Sequence, residues 1–436
     1  PYHQGVKCYD RQGKLLHSYH TGNSLLQTNV VLSLAENNGQ IWIGTDGSGI
    51  YILNPENDEI STIAHAPGNP YSLPVNSILC LYSDSNNNMW AGSVRGGLIN
   101  IREVGMKIYS DALPGTEYGL SEKAVLSIYQ GEEKDIWIGT DGGGINRFYP
   151  DDNRFYHTKS TWGDKISSIT EVDKRHLLVS LFSKGLFFFD KQTEEYRPLI
   201  IVNDSINALL CQRGKAVNVF RNSQETVLLL SEIPYSYHIE KKEFTPISLD
   251  KHTPTIIGTV LPICQNGPIS YLHDIKCIYQ IDSRTNRLET LYHCTGDTIF
   301  NTVSVDENGI FWIGSNYGLS RYSAEKHEHV NIPNKLINEI NSLICDRRGR
   351  VWIGTDGKLF AHLIHEGEFI LYGESDGVIQ NEYLEKPRLL SAEGDIYMGG
   401  VNGLLCIDKQ LPDEDTVPPV LELADVATVS WARRCV

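Results

Sequence analysis

The chain has 436 residues, a formal net charge of −16 and a hydrophobic content of 41%. The negative charge argues against nucleic acid or an anionic membrane surface as a partner. Nine cysteines are scattered without a metal-binding spacing, so we expect neither a structural metal nor a cofactor.

One phrase recurs along the chain and organises the rest of it. It reads IWIGTDGSGI at its first full appearance and IWIGTDGGGI at its third, with a looser copy between them. Self-similarity at a period of about 40 to 50 residues indicates a stacked array of structural repeats. The clear copies are Ile41–Ile50, Ile136–Ile145, Phe311–Gly314 and Val351–Gly357, and the looser copies are Met89–Leu98 and Ile396–Leu404.

Each repeat predicts four short strands. An apolar run such as Val125–Tyr129 comes first, and a polar turn with a glycine at its fourth position follows, as in Asp306–Gly309. The W-I-G-T strand, a glycine-rich loop, a third strand and an outer strand complete the unit. Even spacing of short strands, with one motif per four-stranded unit, is typical of β-propeller blades.

The repeated phrase itself has a structural explanation. We expect Trp137 to fill the space between two blades and Gly139 to let the neighbouring sheet approach closely. Asp46, Asp141 and Asp356 recur at equivalent positions in their repeats. A residue that is repeated in every blade serves the blade, so we interpret these aspartates as caps of the repeat loops rather than as catalytic groups.

The number of repeats exceeds one ring. Residues 5–19 match only the last two strands of a blade, and nine motif positions follow, whereas propellers typically have four to eight blades. An acidic, proline-rich stretch after Asp408 marks a boundary. The motif positions start near Ile41, Met89, Ile136, Leu177, Val227, Ile269, Phe311, Val351 and Ile396.

We therefore predict an all-β fold with one complete seven-bladed propeller of four-stranded blades at residues 106–412. Residues 1–105 are then the last two and a half blades of a first propeller, and 413–436 are a linker or the start of a truncated β-sandwich. The strand at residues 107–110 has two possible positions. It completes the blade that contains Met89, or it crosses over and closes the second ring.

The repeats resemble the regulator-propeller repeats of Bacteroidetes hybrid two-component sensors. DGVIQNEY at Asp376–Tyr383, followed by GDIYMGGVNGLLCID, resembles the closing blade of that family, and VPPVLEL at Val417–Leu423 resembles the start of its β-sandwich. The resemblance implies a periplasmic sensor region that binds an oligosaccharide. Control of glycan-utilisation genes would pass through a kinase part outside this chain, with membrane anchoring through downstream segments and a homodimer in the full-length sensor.

Candidate ligand-binding residues are sought where the repeat pattern breaks, because repeated residues serve the blades. Sugar recognition needs flat apolar surfaces for the ring faces and planar polar groups for the hydroxyls. Unrepeated aromatic, amide and basic residues in the predicted loops meet this need. They are Trp162, Lys184, Asn316, Tyr317, Asn381, Tyr383 and Arg388.

Two other classes of function stay open at this point. A propeller-fold polysaccharide lyase or glycoside hydrolase would need an unrepeated cluster of carboxylate, histidine or tyrosine, for which Glu232, Tyr235 and His273 are the first candidates. No familiar catalytic motif occurs, so we do not expect an enzyme. A structural or protein-interaction propeller is the further alternative.

Overall fold

The computed structural model describes residues 3–85, 87–101, 105–199, 217–251 and 253–411. Within these ranges the regular structure is β-strand, apart from two three-residue 3-10 helices at Lys159–Thr161 and Glu374–Asp376. No helix in the described part of the chain has the length and apolar character to cross a membrane. The predicted linker or sandwich at 413–436 lies outside the described residues.

The first 101 residues form three consecutive sheets. A two-stranded hairpin comes first, a four-stranded antiparallel sheet packs against it, and a three-stranded sheet follows. The strands are β1 (Val6–Tyr9) and β2 (Leu15–Tyr19); β3 (Val31–Asn37), β4 (Gln40–Thr45), β5 (Ile50–Leu53) and β6 (Ile60–Ile63); and β7 (Ile78–Ser83), β8 (Met89–Ser93) and β9 (Gly97–Ile101).

The remaining strands form seven sheets in the described residues. The first three are β11 (Val125–Gln130), β12 (Ile136–Thr140), β13 (Ile145–Tyr149) and β14 (Arg154–His157); β15 (Ile166–Glu171), β16 (His176–Leu181), β17 (Gly185–Asp190) and β18 (Tyr196–Pro198); and β19 (Asn218–Arg221), β20 (Thr226–Leu230), β21 (Tyr235–His238) and β22 (Glu243–Pro246).

The next three sheets contain β23 (Ser248–Leu249), β24 (Leu261–Asn266), β25 (Ile269–His273), β26 (Cys277–Asp282) and β27 (Arg287–His293); β28 (Phe300–Val305), β29 (Ile310–Ser315), β30 (Gly318–Ser323) and β31 (Glu328–Ile332); and β32 (Ser342–Cys345), β33 (Arg350–Gly354), β34 (Leu359–Leu363) and β35 (Phe369–Tyr372). The last sheet joins β36 (Tyr383–Leu390), β37 (Ile396–Gly400) and β38 (Gly403–Ile407) to β10 (Met106–Tyr109).

These seven sheets form a closed ring. The innermost strand of each sheet contacts that of the next, in the order β11, β15, β19, β24, β28, β32 and β36, and β36 contacts β11. The all-β propeller architecture is therefore confirmed. Each predicted motif position also begins within one residue of the second strand of a described sheet, from β4 to β37.

The strand that the sequence could place in two ways closes the ring. β10 pairs antiparallel with β38, from Met106 opposite Ile407 to Tyr109 opposite Leu404. The closing sheet thus takes its outer strand from the residues that precede the ring and its other three strands from the ring's C-terminal end. Backbone hydrogen bonds between β10 and β38 therefore hold the two ends of the ring together.

In the repeats that keep the tryptophan and the glycine, neighbouring sheets pack face to face around these two residues. Trp137 is 2% exposed and lies in an apolar cluster with Ile166, Leu177 and Val179 of the next sheet. A Cβ atom on Gly139 would lie 2.6 Å from the carbonyl oxygen of Ile166, which is closer than real Cβ contacts. The glycine is therefore required by the close approach of the next strand, as expected from the sequence.

In two later repeats the tryptophan is also tied to the turn six residues before it. Trp312 Nε1 donates to Asp306 Oδ2 at 2.9 Å, and Trp352 Nε1 donates to Asp346 Oδ2 at 3.1 Å. The same turn places Gly309 at a φ of +74° and lets its N–H donate to the Asp306 carbonyl at 3.0 Å. A single aspartate therefore organises the hairpin and satisfies the indole between the sheets.

One face of the three-stranded sheet β7–β9 is not covered by any of the described residues. Its other face packs on β3–β6 through Leu81, Ala91 and Ile99. On the uncovered side Tyr82 is 66% exposed and Leu98 is 71% exposed. We call this surface the open face; it has the apolar character of a blade face that a neighbour covers.

Replacing Gly139 with alanine should destabilise the ring. The added methyl group overlaps the backbone of Ile166, so we expect a loss of about 1 to 3 kcal/mol in the free energy of unfolding, as for other overpacked sites. Chemical denaturation followed by tryptophan fluorescence measures this change. Gly373→Ala is the matched control, because no atom lies within 4 Å of a Cβ built there; an equal loss in both variants would contradict the explanation.

Candidate functional site

The innermost strands surround two connected cavities on the axis of the ring. We call the side on which these strands begin the upper face. The upper cavity, of about 520 Å³, lies at the beginnings of β24, β28 and β36. The axial cavity, of about 630 Å³, is lined by residues of all seven sheets. Both are lined by Leu261, His273, Glu385 and Lys386, which therefore mark the level at which the cavities meet.

An insertion in β36 adds the charged residues Glu385 and Lys386 to the lining of both cavities. Tyr383 pairs with Gly400 and Arg388 with Met398, so the four residues 384–387 stand opposite Gly399 alone. The corresponding irregularity in β11 has one extra residue, between Val125 and Ser127, and β15 and β28 share that pattern. The larger bulge in β36 is therefore unrepeated, and bulges commonly redirect side chains beside functional sites.

Arg388 connects the inserted strand to the two sheets that precede it in the ring. Its guanidinium donates to the Thr302 hydroxyl, to the Val303 carbonyl at 2.5 Å and to the Leu343 carbonyl, which belong to β28 and the adjoining β32. Enclosure by protein lowers the pKa of Arg388 to about 10, so the side chain stays charged at neutral pH. No carboxylate of the described residues forms an ion pair with it.

His273 ends β25 and is 1% exposed. Its Nδ1 lies 3.1 Å from the backbone carbonyl of Asp274, and because a carbonyl only accepts, Nδ1 carries the proton. Nε2 is then an acceptor; it has no hydrogen-bond partner in the described residues and lies 3.9 Å from Glu385 Oε1. Burial, and secondarily the charge of Arg388, lowers the pKa of His273 to about 4, so the ring is neutral.

Glu385 is enclosed by the ring although one-third of its side chain is open to the cavities. This enclosure raises its pKa to about 7, against the opposing effects of Arg388 and Lys386. The carboxyl group therefore changes its charge near neutral pH. Lys386 faces the same cavities, and enclosure lowers its pKa from the ordinary value.

The candidate residues predicted from the sequence do not form one site. Trp162 lies in the loop before β15 and Lys184 in the loop between β16 and β17. Asn316 and Tyr317 lie between β29 and β30. Asn381, Tyr383 and Arg388 lie in or beside β36. Trp162, with 57% exposure, and Tyr317, with 69%, are open to solvent on the upper face.

Two of the predicted polar groups are occupied within the protein. The Lys184 ammonium pairs with the buried carboxylate of Asp164, and the carboxamide of Asn316 accepts from Ile299 N at 2.8 Å while donating to Asp297 O at 3.2 Å. These contacts hold the loops that precede β15 and β28. Neither contact tests whether the two side chains also meet sugar hydroxyls, so that expectation stays a prediction.

The two buried candidates beside β36 are likewise structural. Asn381 is fully buried, donates to the Gly403 carbonyl at 3.2 Å and accepts from Asn402 N at 2.9 Å. Tyr383 is 1% exposed, and its ring packs against Gly354, where an added Cβ would lie 2.6 Å away. A buried ring offers no surface for stacking on a sugar, which corrects that expectation for Tyr383.

The repeated aspartates connect neighbouring sheets rather than capping their own loops with side-chain bonds. Asp46 Oδ1 accepts from the Ser77 hydroxyl at 2.7 Å, and Asp141 Oδ1 lies 2.6 Å from Lys165 Nζ of the next sheet. Asp356 forms a backbone bridge with Glu382. Asp46 and Asp141 thus reach the next sheet with their side chains, whereas Asp356 does so through its backbone, and the structural role of the three aspartates stays a prediction.

Sequence reasoning missed Glu385 and Lys386. Pro387 was a usable signal, because proline inside a strand indicates an edge or a bulge. Of the three residues considered for an enzyme, His273 lines both cavities, whereas Glu232 is exposed and neither Glu232 nor Tyr235 lines them.

Comparison with known proteins identifies the type of repeat. Three segments, residues 24–47, 72–95 and 335–357, match the two component regulator propeller family. The resemblance seen in the sequence is thereby confirmed for these repeats. Among curated protein sequences none matches the chain significantly.

Solved structures share the fold at low sequence identity. The extracellular domain of a hybrid two component system from B. thetaiotaomicron superposes with a TM-score of 0.65 at 17% identity, over 94% of this chain and 54% of that domain. A second such domain from the same organism gives a TM-score of 0.53 at 18% identity, over 95% and 56%. PorZ, a type-IX secretion component of Porphyromonas gingivalis, gives 0.51 at 13%, over 92% and 64%. The chain thus spans about half the length of the first two domains.

Replacing Glu385 with glutamine should change how stability depends on pH. The folded-state pKa of Glu385 lies above its ordinary value of 4.5, so the folded protein binds this proton more tightly than the unfolded chain does. Stability of the unmodified protein should therefore fall as the pH rises from about 4.5 to about 7 and then level off with respect to this group. Since glutamine stays neutral, the variant should gain in relative stability over that interval.

Chemical denaturation at pH 4.5, 6 and 8 measures the difference between the two proteins. The surrounding charged or titratable groups are His273, Lys386 and Arg388. They are present in both proteins, so their contributions to the difference in unfolding free energy cancel to first order. Glu307→Gln, in an exposed turn, is the control. A difference between Glu385→Gln and the unmodified protein that does not vary with pH would refute the assignment.

Proposed function

We propose that the chain is an extracytoplasmic sensor region, in the periplasm, that binds an oligosaccharide. Binding would be reported to a kinase part outside the chain and would regulate glycan-utilisation genes. The observation that carries the proposal is the match of three repeats to the two component regulator propeller family. The fold shared with two extracellular sensor domains supports it at the level of architecture.

The geometry of the upper face supports ligand binding there. The upper cavity opens among the beginnings of the innermost strands, where Asn301, Asn341 and Glu382 supply polar groups. Trp162 and Tyr317 expose aromatic rings on the same face. Aromatic surfaces beside amide and carboxylate groups are the combination that carbohydrate recognition needs.

The open face supports self-association in the sensor. Tyr82 and Leu98 are exposed on a sheet whose other face is packed, and such apolar surface is typical of an interface. We propose that two copies of the chain associate through it as a homodimer.

Sedimentation should show a dimer. Leu98→Asp should dissociate this dimer, whereas the control Lys335→Gln, on the ring, should leave it intact. A monomer at micromolar concentration would count against the interface.

One observation favours an enzyme as the second candidate. The ring brings the carboxyl group of Glu385 within 3.9 Å of His273 Nε2, which is the kind of unrepeated pair that a polysaccharide lyase or hydrolase requires. Burial lowers the pKa of His273 to about 4, so at pH 7 its neutral Nε2 would act in this pair as a weak proton acceptor. New reducing or unsaturated ends after incubation with polysaccharides, lost in Glu385→Gln, would support this candidate.

Calorimetric titration against acidic and neutral oligosaccharides tests the sensor proposal. We expect one class to bind with 1:1 stoichiometry and no turnover. Trp162 and Tyr317 belong to different sheets, so each is replaced by alanine separately, and at least one variant should bind roughly threefold to tenfold more weakly through loss of aromatic contact.

Tyr9→Ala is the matched control, since Tyr9 is 53% exposed on the first hairpin, away from the ring. Equal affinities in all three variants would show that the ligand does not contact these aromatic residues of the upper face. Absence of binding across the panel by folded protein would contradict the proposed function.

A further inference from the structure

The axial cavity has a charge opposite to that of the whole chain. Its lining contains three cationic side chains, Arg221, Lys386 and Arg388, and one carboxylate, Glu385. The chain as a whole has a net charge of −16. A basic cavity inside an acidic protein attracts anions locally, because charges enclosed by low-dielectric walls are weakly screened.

None of these three cations forms an ion pair with a carboxylate of the described residues. Arg221 donates to backbone carbonyls only, at 2.6 Å to Ser223, 2.7 Å to Glu171 and 2.7 Å to Gln224, with Val172 as a further acceptor. Arg388 donates to a hydroxyl and two carbonyls.

Lys386 has neither a hydrogen bond nor an ion pair among the described residues, and its side chain is exposed to the cavities. Enclosed cations without a counter-charge are costly to the folded state. A bound anion would remove this cost, so the arrangement favours an anionic ligand.

Two hydrogen-bond acceptors face the same space. His273 is 1% exposed, and its unpartnered Nε2 lies 3.9 Å from Glu385 Oε1. That separation is too long for a direct hydrogen bond. A hydroxyl group or a water molecule located between the two atoms can donate to one of them, which satisfies a buried polar atom that otherwise lacks a partner.

We propose that the inserted residues of β36 build a site for a small hydroxylated carboxylate, of the sugar-acid class, in the axial cavity. Its carboxylate pairs with the Lys386 ammonium beside Arg388, and its hydroxyl groups donate to His273 Nε2 and Glu385. The inference deepens the proposed function by naming an acidic sugar unit as the ligand. The cavity, of about 630 Å³, falls within the usual size of small-molecule sites.

Calorimetry with D-glucuronate and D-glucose tests the site, because the two sugars differ in the carboxylate. At low ionic strength the unmodified chain should bind glucuronate at least tenfold more tightly than glucose. Lys386→Gln should weaken glucuronate binding by about tenfold, the effect of losing one charge-assisted hydrogen bond. Lys386→Arg should retain most of the affinity, and added salt should weaken binding.

Lys335→Gln is the matched control, because Lys335 is exposed in a loop and lines neither cavity. Equal affinity for the two sugars, or equal effects of Lys386→Gln and Lys335→Gln, overturns the site. If oligosaccharide binds but glucuronate shows neither the preference over glucose nor the dependence on Lys386, the sensor function is supported and the proposed axial site is refuted. Glucuronate binding that depends on Lys386, with no oligosaccharide bound, keeps the site and removes the proposed function.

Discussion

The close approach of neighbouring sheets is the constraint on which the ring depends. At Gly139 the backbone of one sheet lies against Ile166 of the next, and Trp137 fills the space beside this contact. Because both faces of each sheet are covered, the strands are apolar without strict alternation. The sheet β7–β9 shows the contrasting case, since Tyr82 and Leu98 remain exposed where no neighbour covers them.

Closure of the ring fixes the seven sheets around a common axis. β10 joins the closing sheet by backbone hydrogen bonds to β38, so the two ends of the ring meet in one sheet. Arg388 of the same sheet donates to the Val303 and Leu343 carbonyls of the preceding two sheets. The sheet that closes the ring therefore also positions the inserted residues over the cavities, and the geometry of the candidate site depends on closure.

The candidate site arises where one repeat departs from the others. Residues that recur, such as Asp306 and Asp346, stabilise the hairpins and the tryptophans between sheets. The inserted Glu385 and Lys386 have no counterpart in the bulges of β11, β15 or β28, and they place charge in an enclosed space. Departures of this kind lower local stability. They are therefore retained mainly at functional sites, where the function they serve compensates for that loss.

The sequence by itself determined the all-β architecture, the nine second strands and the roles of Trp137 and Gly139, because strand pattern, turn chemistry and repeat period are local properties. Tertiary structure decided the rest. The sequence of β10 is that of an ordinary strand. Only its pairing with β38, from the C-terminal end of the ring, shows that it belongs to the closing sheet. The sequence predicts that Asn381 and Tyr383 are accessible to a ligand. In the structure both side chains are buried between sheets. Glu385, Lys386 and His273 meet because the bulge of β36 and the end of β25 converge on the axis, and such convergence depends on contacts between residues far apart in the chain.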